Sequence, residues 1–262
     1  MTINKPGEMP PDSFFLHPPA FPNHGEHRTH LKQRLAAAFR HFGRLGFDEG
    51  IAGHITVQDP EHTGTFWANP LGVPFLHITP HHLVRVDGDT ARTVEGGHVV
   101  NIGAFYIHAE IHAARPDVQA VVHLHSTYGR AWSALGEPLA PITQDHCPFF
   151  EDHTVFNDYN GIVLDRTEGK RIATALGPRK ALILRNHGLL TAAETLDAAA
   201  WWFTLMDKAC EISLLAHAAG RPVLIPDEAA RATRDQIGTH LIGYNSAQPL
   251  LTLADETLHD SR

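Results

Sequence analysis

Residues 107–126, IHAEIHAARPDVQAVVHLHS, decide the predicted fold because they join a helix, a turn and an apolar strand. The helix is predicted to end before Pro116, since a proline disfavours helical backbone in the residue that precedes it. In the strand that follows, side chains two positions apart point to the same face of the sheet. His123 and His125 therefore present two imidazoles side by side, and Leu124 between them turns into the core.

A second apolar strand supplies a third histidine. In ALILRNHGLL the strand stops at Arg185, and Gly188 is expected to allow a tight turn that carries His187. An isolated His-x-His pair is more often a hydrogen-bonded strand end than a ligand pair, so the third histidine carries the prediction. Three neutral imidazoles suit zinc, iron, cobalt, nickel or manganese and leave positions open for a substrate. We expect His123, His125 and His187 to bind one divalent metal ion, with zinc as the first choice.

Composition limits the classes of function. A formal charge of -8, from 21 Lys+Arg and 29 Asp+Glu, provides no basic face for a phosphate backbone, so we expect no nucleic-acid partner. No apolar stretch approaches the roughly 20 residues of a spanning helix, and the first residues do not resemble a signal peptide, so we expect no membrane partner. Cys147 and Cys210 are too few for a disulfide framework. Together these features predict a cytoplasmic protein.

The sequence predicts one large α/β domain flanked by two extensions. Residues 1–25 are rich in proline with scattered phenylalanine and predict an extended arm. Residues 26–222 hold short strands between helices, from a helix over residues 27–45 to a long amphipathic helix near the end. We expect residues 223–262 to form a tail that packs on the domain or on a neighbouring subunit.

Four segments match a known family in order. They are GFDEGIAGHITV (residues 46–57), NPLGVPF (69–75), the stretch over 107–126, and RNHGLL (185–190). With the helices between them, residues 27–220 resemble the class II aldolase/adducin family, which includes fuculose-phosphate aldolase-like enzymes. The resemblance implies a three-layer α/β/α fold with a central, mainly antiparallel sheet. It also implies a homotetramer with active sites at subunit interfaces, a small-molecule substrate, and metal ligands at His123, His125 and His187.

The chain departs from the family's sugar-phosphate aldolases at the substrate site. Those enzymes place a metal-binding carboxylate on the helix before the His-x-His strand, and the matching position here is Ala104. The nearest acid, Glu110, should face elsewhere on that helix. Ile102 and Gly103 replace two hydroxyl residues that help to hold the phosphate, and His54 replaces an asparagine of the first phosphate loop. A dianion needs several donors or a positive charge, so these differences predict an unphosphorylated substrate.

Candidate acid/base or orienting residues come from two places. The first is the segment TQDHCPFFEDH, whose two phenylalanines indicate an ordered loop and from which a side chain could reach a neighbouring subunit's metal. Its candidates are Asp145, His146, Glu151, Asp152 and His153. The second is the helix before the His-x-His strand, where His108 shares a face with His112 at a spacing able to bind metal. His108 is the better candidate of the two.

Three hypotheses for the function follow. The first is a metal-dependent lyase that cleaves or decarboxylates a small unphosphorylated carbonyl acid, such as a 2-oxo or 2-hydroxy acid, with the metal as electron sink. The second is a non-haem iron oxygenase that acts on an aromatic 2-oxo acid, as is described for relatives in antibiotic biosynthesis. The third is an adducin-like assembly protein without catalysis. Such members usually lose the metal ligands, so retention of all three histidines argues against it.

Overall fold

The computed structural model of the protein describes residues 14–256, with the backbone alone for residues 102–104 and 256. Most of the predicted arm, residues 1–13, lies outside this range. The helices are α1 His24–Arg44, α2 Ile102–Ala114, α3 Thr127–Ser133, α4 Arg166–Leu176, α5 Leu196–Ala219, α6 Asp227–Ile237 and α7 His240–Glu256. The strands are β1 His54–Gln58, β2 Thr65–Ala68, β3 Val84–Asp87, β4 Thr93–Glu95, β5 Ala120–Leu124, β6 His153–Phe156, β7 Ala181–Leu184 and β8 Gly188–Ala193.

These strands form one eight-stranded sheet in the order β4-β3-β2-β1-β5-β8-β7-β6. Neighbouring strands are antiparallel except β6 and β7, which run parallel. The predicted mainly antiparallel α/β sheet is therefore confirmed. Strand β5 lies between β1 and β8, and in this register His123 faces His54 on one side and Leu190 on the other.

Helices cover both faces of the sheet and complete the three layers. The largest apolar cluster lies on the face that carries α1, α5 and α7, and includes Val122 and Leu124 of β5. A second cluster lies on the face that carries α2 and α4, and includes Val121. Because side chains alternate along a strand, His123 points to the α2 side while Leu124 is fully buried on the α5 side. The predicted orientation of Leu124 is confirmed.

Two stretches contain more regular structure than the sequence indicated. Residues 143–153 are predicted as an ordered loop, yet they contain a 3-10 turn over Gln144–Phe149 and the first residue of the edge strand β6. The predicted tail contains α6 and α7, and α7 packs against α1 and α5. In the described part of the chain, no helix combines the length and the apolar character needed to cross a bilayer.

Candidate metal centre

The three histidines predicted as ligands lie together at one end of β5. The ring centroids of His123 and His125 are 5.2 Å apart, and His187 lies 4.7 Å from the first ring and 5.0 Å from the second. One nitrogen from each ring lies within 4.8 Å of the others. Nitrogens that share a zinc ion at about 2 Å are about 3 to 4 Å apart, so modest side-chain rotation brings the three to ligand spacing. We name this group the histidine triad.

The turn between β7 and β8 carries His187 to the triad. The backbone N–H of His187 donates to the carbonyl of Leu184 at 3.0 Å, which closes the turn. The left-handed residue is Asn186, with φ of 58°, whereas Gly188 already belongs to β8. The prediction that Gly188 makes the turn is therefore wrong in its detail. Asparagine takes up the conformation because its short polar side chain tolerates the left-handed region.

Hydrogen bonding and burial prepare the rings for a metal. The Nδ1–H of His123 donates to the Leu189 carbonyl at 2.8 Å, which leaves the Nε2 lone pair for a ligand bond. Burial lowers the pKa of His187 to about 4, with a further contribution from nearby His125. Burial also holds the pKa of His123 well below its usual value and lowers that of His125. The rings are thus neutral near pH 7, which is the form that binds metal.

A cleft of about 590 Å³ opens over the triad. We name it the triad cleft. Its wall is largely apolar and is built by Ile51, Ile107, Ile162, Val163 and Leu164. Its other polar lining groups are His54, Asn101, Arg130, Tyr159 and Asn186, and none of the described lining residues is Asp or Glu.

His54 is a residue of this cleft that sequence reasoning noted only as a replacement for asparagine. It begins β1, is 7% exposed, and neither of its ring nitrogens has a hydrogen-bond partner among the described residues. Its pKa falls to about 3, first because of burial and then because of His125 and His187. The sequence did contain a signal for this position, because the polar residues His54, Thr56 and Gln58 alternate along a buried strand and so share one face of the sheet.

His108 lies behind the cleft rather than in its lining. Its side chain is fully buried, and its Nδ1 shares a hydrogen bond of 2.8 Å with the hydroxyl of Thr56. The same hydroxyl lies 2.9 Å from Nε2 of His112. His108 and His112 thus share a face, as the spacing predicts, but that face contacts β1. A catalytic role for His108 stays a prediction.

The acid nearest to the family's carboxylate position faces away from the triad. Glu110 is buried against α4, where its Oε1 lies 3.2 Å from Nη1 of Arg166. The side chains at 102–104, including Ala104, lie outside the described atoms. No described carboxylate therefore takes the place of the aldolase carboxylate beside the triad.

The 143–153 segment packs into the fold and contributes no residue to the lining of the triad cleft in this chain. His146 contacts the Ala209 carbonyl at 3.1 Å and the Ser213 hydroxyl at 2.9 Å through Nε2, and the Thr143 hydroxyl through Nδ1. His153 donates from Nδ1 to the Phe149 carbonyl and accepts the Leu139 N–H at Nε2.

Two acids of this segment form ion pairs with basic residues of the same chain. Glu151 pairs with Arg231 and Arg234, and Asp152 pairs with Lys180 at 3.1 Å. Asp145 lies in the first turn of the 3-10 helix. The expectation that one of these residues reaches the metal of a neighbouring subunit stays a prediction.

Comparisons with known proteins agree with this fold. A model of the class II aldolase and adducin N-terminal domain matches residues 33–214. Among solved structures, the L-fuculose 1-phosphate aldolase from Glaciozyma antarctica PI12 superposes with a TM-score of 0.87 and 41% identity, covering 93% of this chain and 96% of that one.

Two curated relatives from Streptomyces are more similar in sequence. Decarboxylase NovR of Streptomyces niveus is 62% identical over 243 residues, which cover 92% of this chain and 90% of NovR. The 4-hydroxy-3-prenylphenylpyruvate oxygenase/4-hydroxy-3-prenylbenzoate synthase of Streptomyces roseochromogenus subsp. oscitans is also 62% identical over 243 residues, with coverage of 92% and 88%.

Proposed function

Because the chain belongs to the class II aldolase and adducin family, we propose that it is a metal-dependent enzyme that oxidatively decarboxylates an aromatic 2-oxo acid. The observation that carries the proposal is the histidine triad at the base of an apolar cleft without a described acidic residue. The names of the two Streptomyces relatives, a decarboxylase and a phenylpyruvate oxygenase, both fit an enzyme that shortens a 2-oxo acid.

The triad supplies the ligands, and we propose iron as the ion that this reaction uses. His123, His125 and His187 would hold the ion, and iron would supply Lewis-acid chemistry for a 2-oxo acid and redox chemistry for dioxygen. The chain's own part is to keep His123, His125 and His187 neutral by burial and to orient His123 through the Leu189 carbonyl. Three protein ligands leave coordination positions open for the reactants.

The cleft wall indicates the kind of substrate. Ile162 and Leu164 are 77% and 68% exposed beside the triad, and Ile51 adds further apolar surface. Apolar surface of this kind suits an aromatic ring that carries an apolar substituent. Arg130 is the one cation among the described lining residues, and it already pairs with Glu49 at 2.6 Å. A single guanidinium that is already paired with a carboxylate would bind a phosphate dianion only weakly. The lining therefore supports an unphosphorylated substrate.

The overall reaction balances without a further co-reactant. An arylpyruvate has a three-carbon side chain and a benzoate retains one of those carbons. Complete conversion therefore consumes two molecules of dioxygen and releases two molecules of carbon dioxide and one of water. The prediction is a fixed ratio of oxygen consumed to benzoate formed.

Elemental analysis and oxygen uptake test the proposal. Protein purified without added metal is analysed for bound ions, then mixed with phenylpyruvate and its ring-hydroxylated and ring-alkylated forms in an oxygen electrode. We expect bound iron, oxygen uptake and benzoate formation, and we expect the double variant His123→Ala, His125→Ala to show none of these. Release of carbon dioxide at an undiminished rate without oxygen contradicts the oxidative reaction.

That contrary outcome would support the lyase as the second candidate, with zinc as its ion. Two observations favour keeping it: the printed name of NovR is simply a decarboxylase, and the structural neighbour is named an aldolase. A lyase releases carbon dioxide or cleaves a carbon–carbon bond without oxygen. The same anaerobic assay therefore separates the two enzymes by product.

We also propose the homotetramer with interface active sites that the family resemblance implies. The exposed apolar side chains at the cleft, Ile162 and Leu164, support a covering surface from a second copy. Light scattering at several concentrations tests the assembly. The adducin-like alternative, assembly without catalysis, requires the double histidine variant to retain full biological activity.

A further inference from the structure

His54 is a buried histidine whose hydrogen-bonding capacity is unused within the described residues. The residue is only 7% exposed, and both buried ring nitrogens are without a hydrogen-bond partner in the described part of the chain. Leaving a buried polar group unpaired is energetically unfavourable. Most buried polar groups in native proteins are paired, so His54 points to a partner beyond the described residues.

The sheet register places this histidine beside the triad. His54 on β1 and His123 on β5 are direct partners across the antiparallel strands. Side chains at such positions lie on the same face, with their Cβ atoms about 5 Å apart. His54 and the triad also line the same cleft. A small molecule bound at the triad therefore lies within reach of the His54 ring.

The surroundings of His54 hold its ring at the rear of the cleft. Gly53 has φ of 91°, and a Cβ there would lie 3.0 Å from Leu124 Cδ2, so the backbone before His54 is closely confined. Behind the ring, the His108 centroid lies at 6.2 Å, and His108 is itself anchored to Thr56. A small cavity that is separate from the triad cleft also borders His54. Its volume is about 10 Å³, which is enough for about one water molecule. The imidazole thus closes the cleft on this side.

The chemistry of the ring suits an oxygen ligand. A neutral imidazole offers one N–H donor and one lone pair. A carboxylate or keto oxygen accepts the donor, and the other lining groups include no acid that would compete for it. We propose that His54 donates a hydrogen bond to an oxygen of the 2-oxo acid group and so positions the substrate at the triad. This inference rests on the proposed function, because it assumes a 2-oxo acid.

Binding measurements on three variants test the inference without turnover. The protein is loaded with zinc, kept free of oxygen and titrated with phenylpyruvate by calorimetry, with metal content measured for every sample. For His54→Ala we expect unchanged metal content and a Kd about 10-fold higher, as the loss of one hydrogen bond of about 1.4 kcal/mol gives. His54→Asn places an amide nitrogen near the position of Nδ1, and His54→Gln near that of Nε2. One of these two should recover most of the affinity and identify the donor nitrogen.

His41→Asn is the matched control for burial. His41 is 8% exposed on α1, contacts the Thr204 hydroxyl at 3.1 Å and does not line the triad cleft. Its replacement removes a buried imidazole and should leave the Kd for phenylpyruvate unchanged. If His54 has only a structural role, His54→Ala and His41→Asn should both lower thermal stability, and neither should change the Kd for phenylpyruvate.

Three outcomes overturn the inference: wild-type affinity in His54→Ala, loss of metal from that variant, or weakened binding that neither amide restores. Should the variants fail to fold, ¹⁵N spectra of the wild-type imidazoles replace them, and the His54 signals must shift when phenylpyruvate is added. An unmoved signal then overturns the inference. Phenylpyruvate binding that depends on His54 without any oxygen uptake contradicts the proposed function alone. Binding that ignores His54, together with oxygen uptake, contradicts this inference alone.

Discussion

The histidine triad and the 143–153 segment both carry histidines, but the surroundings of the ring nitrogens differ. In the segment, His146 and His153 have protein partners on both nitrogens. In the triad, Nδ1 of His123 is the one nitrogen with a hydrogen bond to the described residues. Ring nitrogens that lie close together and have no hydrogen bond to the described residues, rather than a high density of histidines and acids, distinguish the candidate ligand site from a packed loop.

The largest effect should come from removing the triad itself. Loss of a residue that merely supports a metal ligand costs about 10- to 100-fold in affinity. His123→Ala combined with His125→Ala removes two ligands, so metal affinity should fall by more than about 100-fold. Elemental analysis after dialysis measures the bound ion, and light scattering checks whether the proposed tetramer is retained.

The matched double variant lies in the 143–153 segment. His146→Gln combined with His153→Gln changes the same number of histidines and should retain the metal of the wild-type protein. A metal content that falls in this variant, or persists in the triad variant, would reverse the comparison between the two regions.

The pH dependence of stability should reveal histidines that burial keeps neutral. Burial lowers the pKa of His41 and of His112 from 6.5 to about 4. Between these values the unfolded chain binds more protons than the folded chain, so the free energy of unfolding falls as the pH falls. Each histidine should contribute a loss of about 3 kcal/mol between pH 6.5 and 4 in metal-free protein. Urea unfolding at several pH values measures the slope, and His41→Gln should flatten it.

A single change in the 143–153 segment should lower stability without affecting the metal. His153→Ala leaves the Leu139 N–H without its partner and removes one of two hydrogen bonds to the Phe149 carbonyl, which keeps the one from the Asp152 N–H. We expect a loss of about 1 to 3 kcal/mol in the free energy of unfolding. Urea unfolding and elemental analysis on the same sample separate the two effects. A loss of metal at unchanged stability would assign His153 to the metal centre.

Local patterns in the sequence were sufficient for much of this molecule. Strand alternation predicted the shared face of His123 and His125, and the strand-turn pattern of residues 181–190 brought His187 to them. The order of four family-like segments predicted the fold. These features depend on neighbours in the sequence or on motifs that are read directly.

The features that were missed depend on contacts between distant residues. Strand β6 has four residues at the sheet edge, where it pairs in parallel with β7. Helix α7 contains Pro249, a residue that disfavours helix in a local pattern. This helix packs against α1 and α5, which are distant in the sequence. The sequence placed His54 in the first phosphate loop by resemblance, but its position directly across from His123 follows from the pairing of β1 with β5, which no local pattern specifies.

The smallest effect on stability should come from residues with left-handed backbone. Asn186, beside the triad, has φ of 58°, and Glu151, in the 143–153 segment, has φ of 59°. Asparagine tolerates this conformation better than alanine does, so Asn186→Ala should cost about 1 kcal/mol. Because Asn186 precedes His187, the variant should also weaken metal binding several-fold, and Asn186→Gly should restore it.

Glu151→Ala is the matched change in the other region. Glutamate already carries the conformational cost, and its ion pairs with Arg231 and Arg234 lie at the surface, where such pairs add little to stability. We therefore expect a small change in stability and none in metal affinity. Competition with a metal-binding dye measures the affinities, and an equal loss in both alanine variants would mean that the turn before His187 has no special role in positioning the ligand.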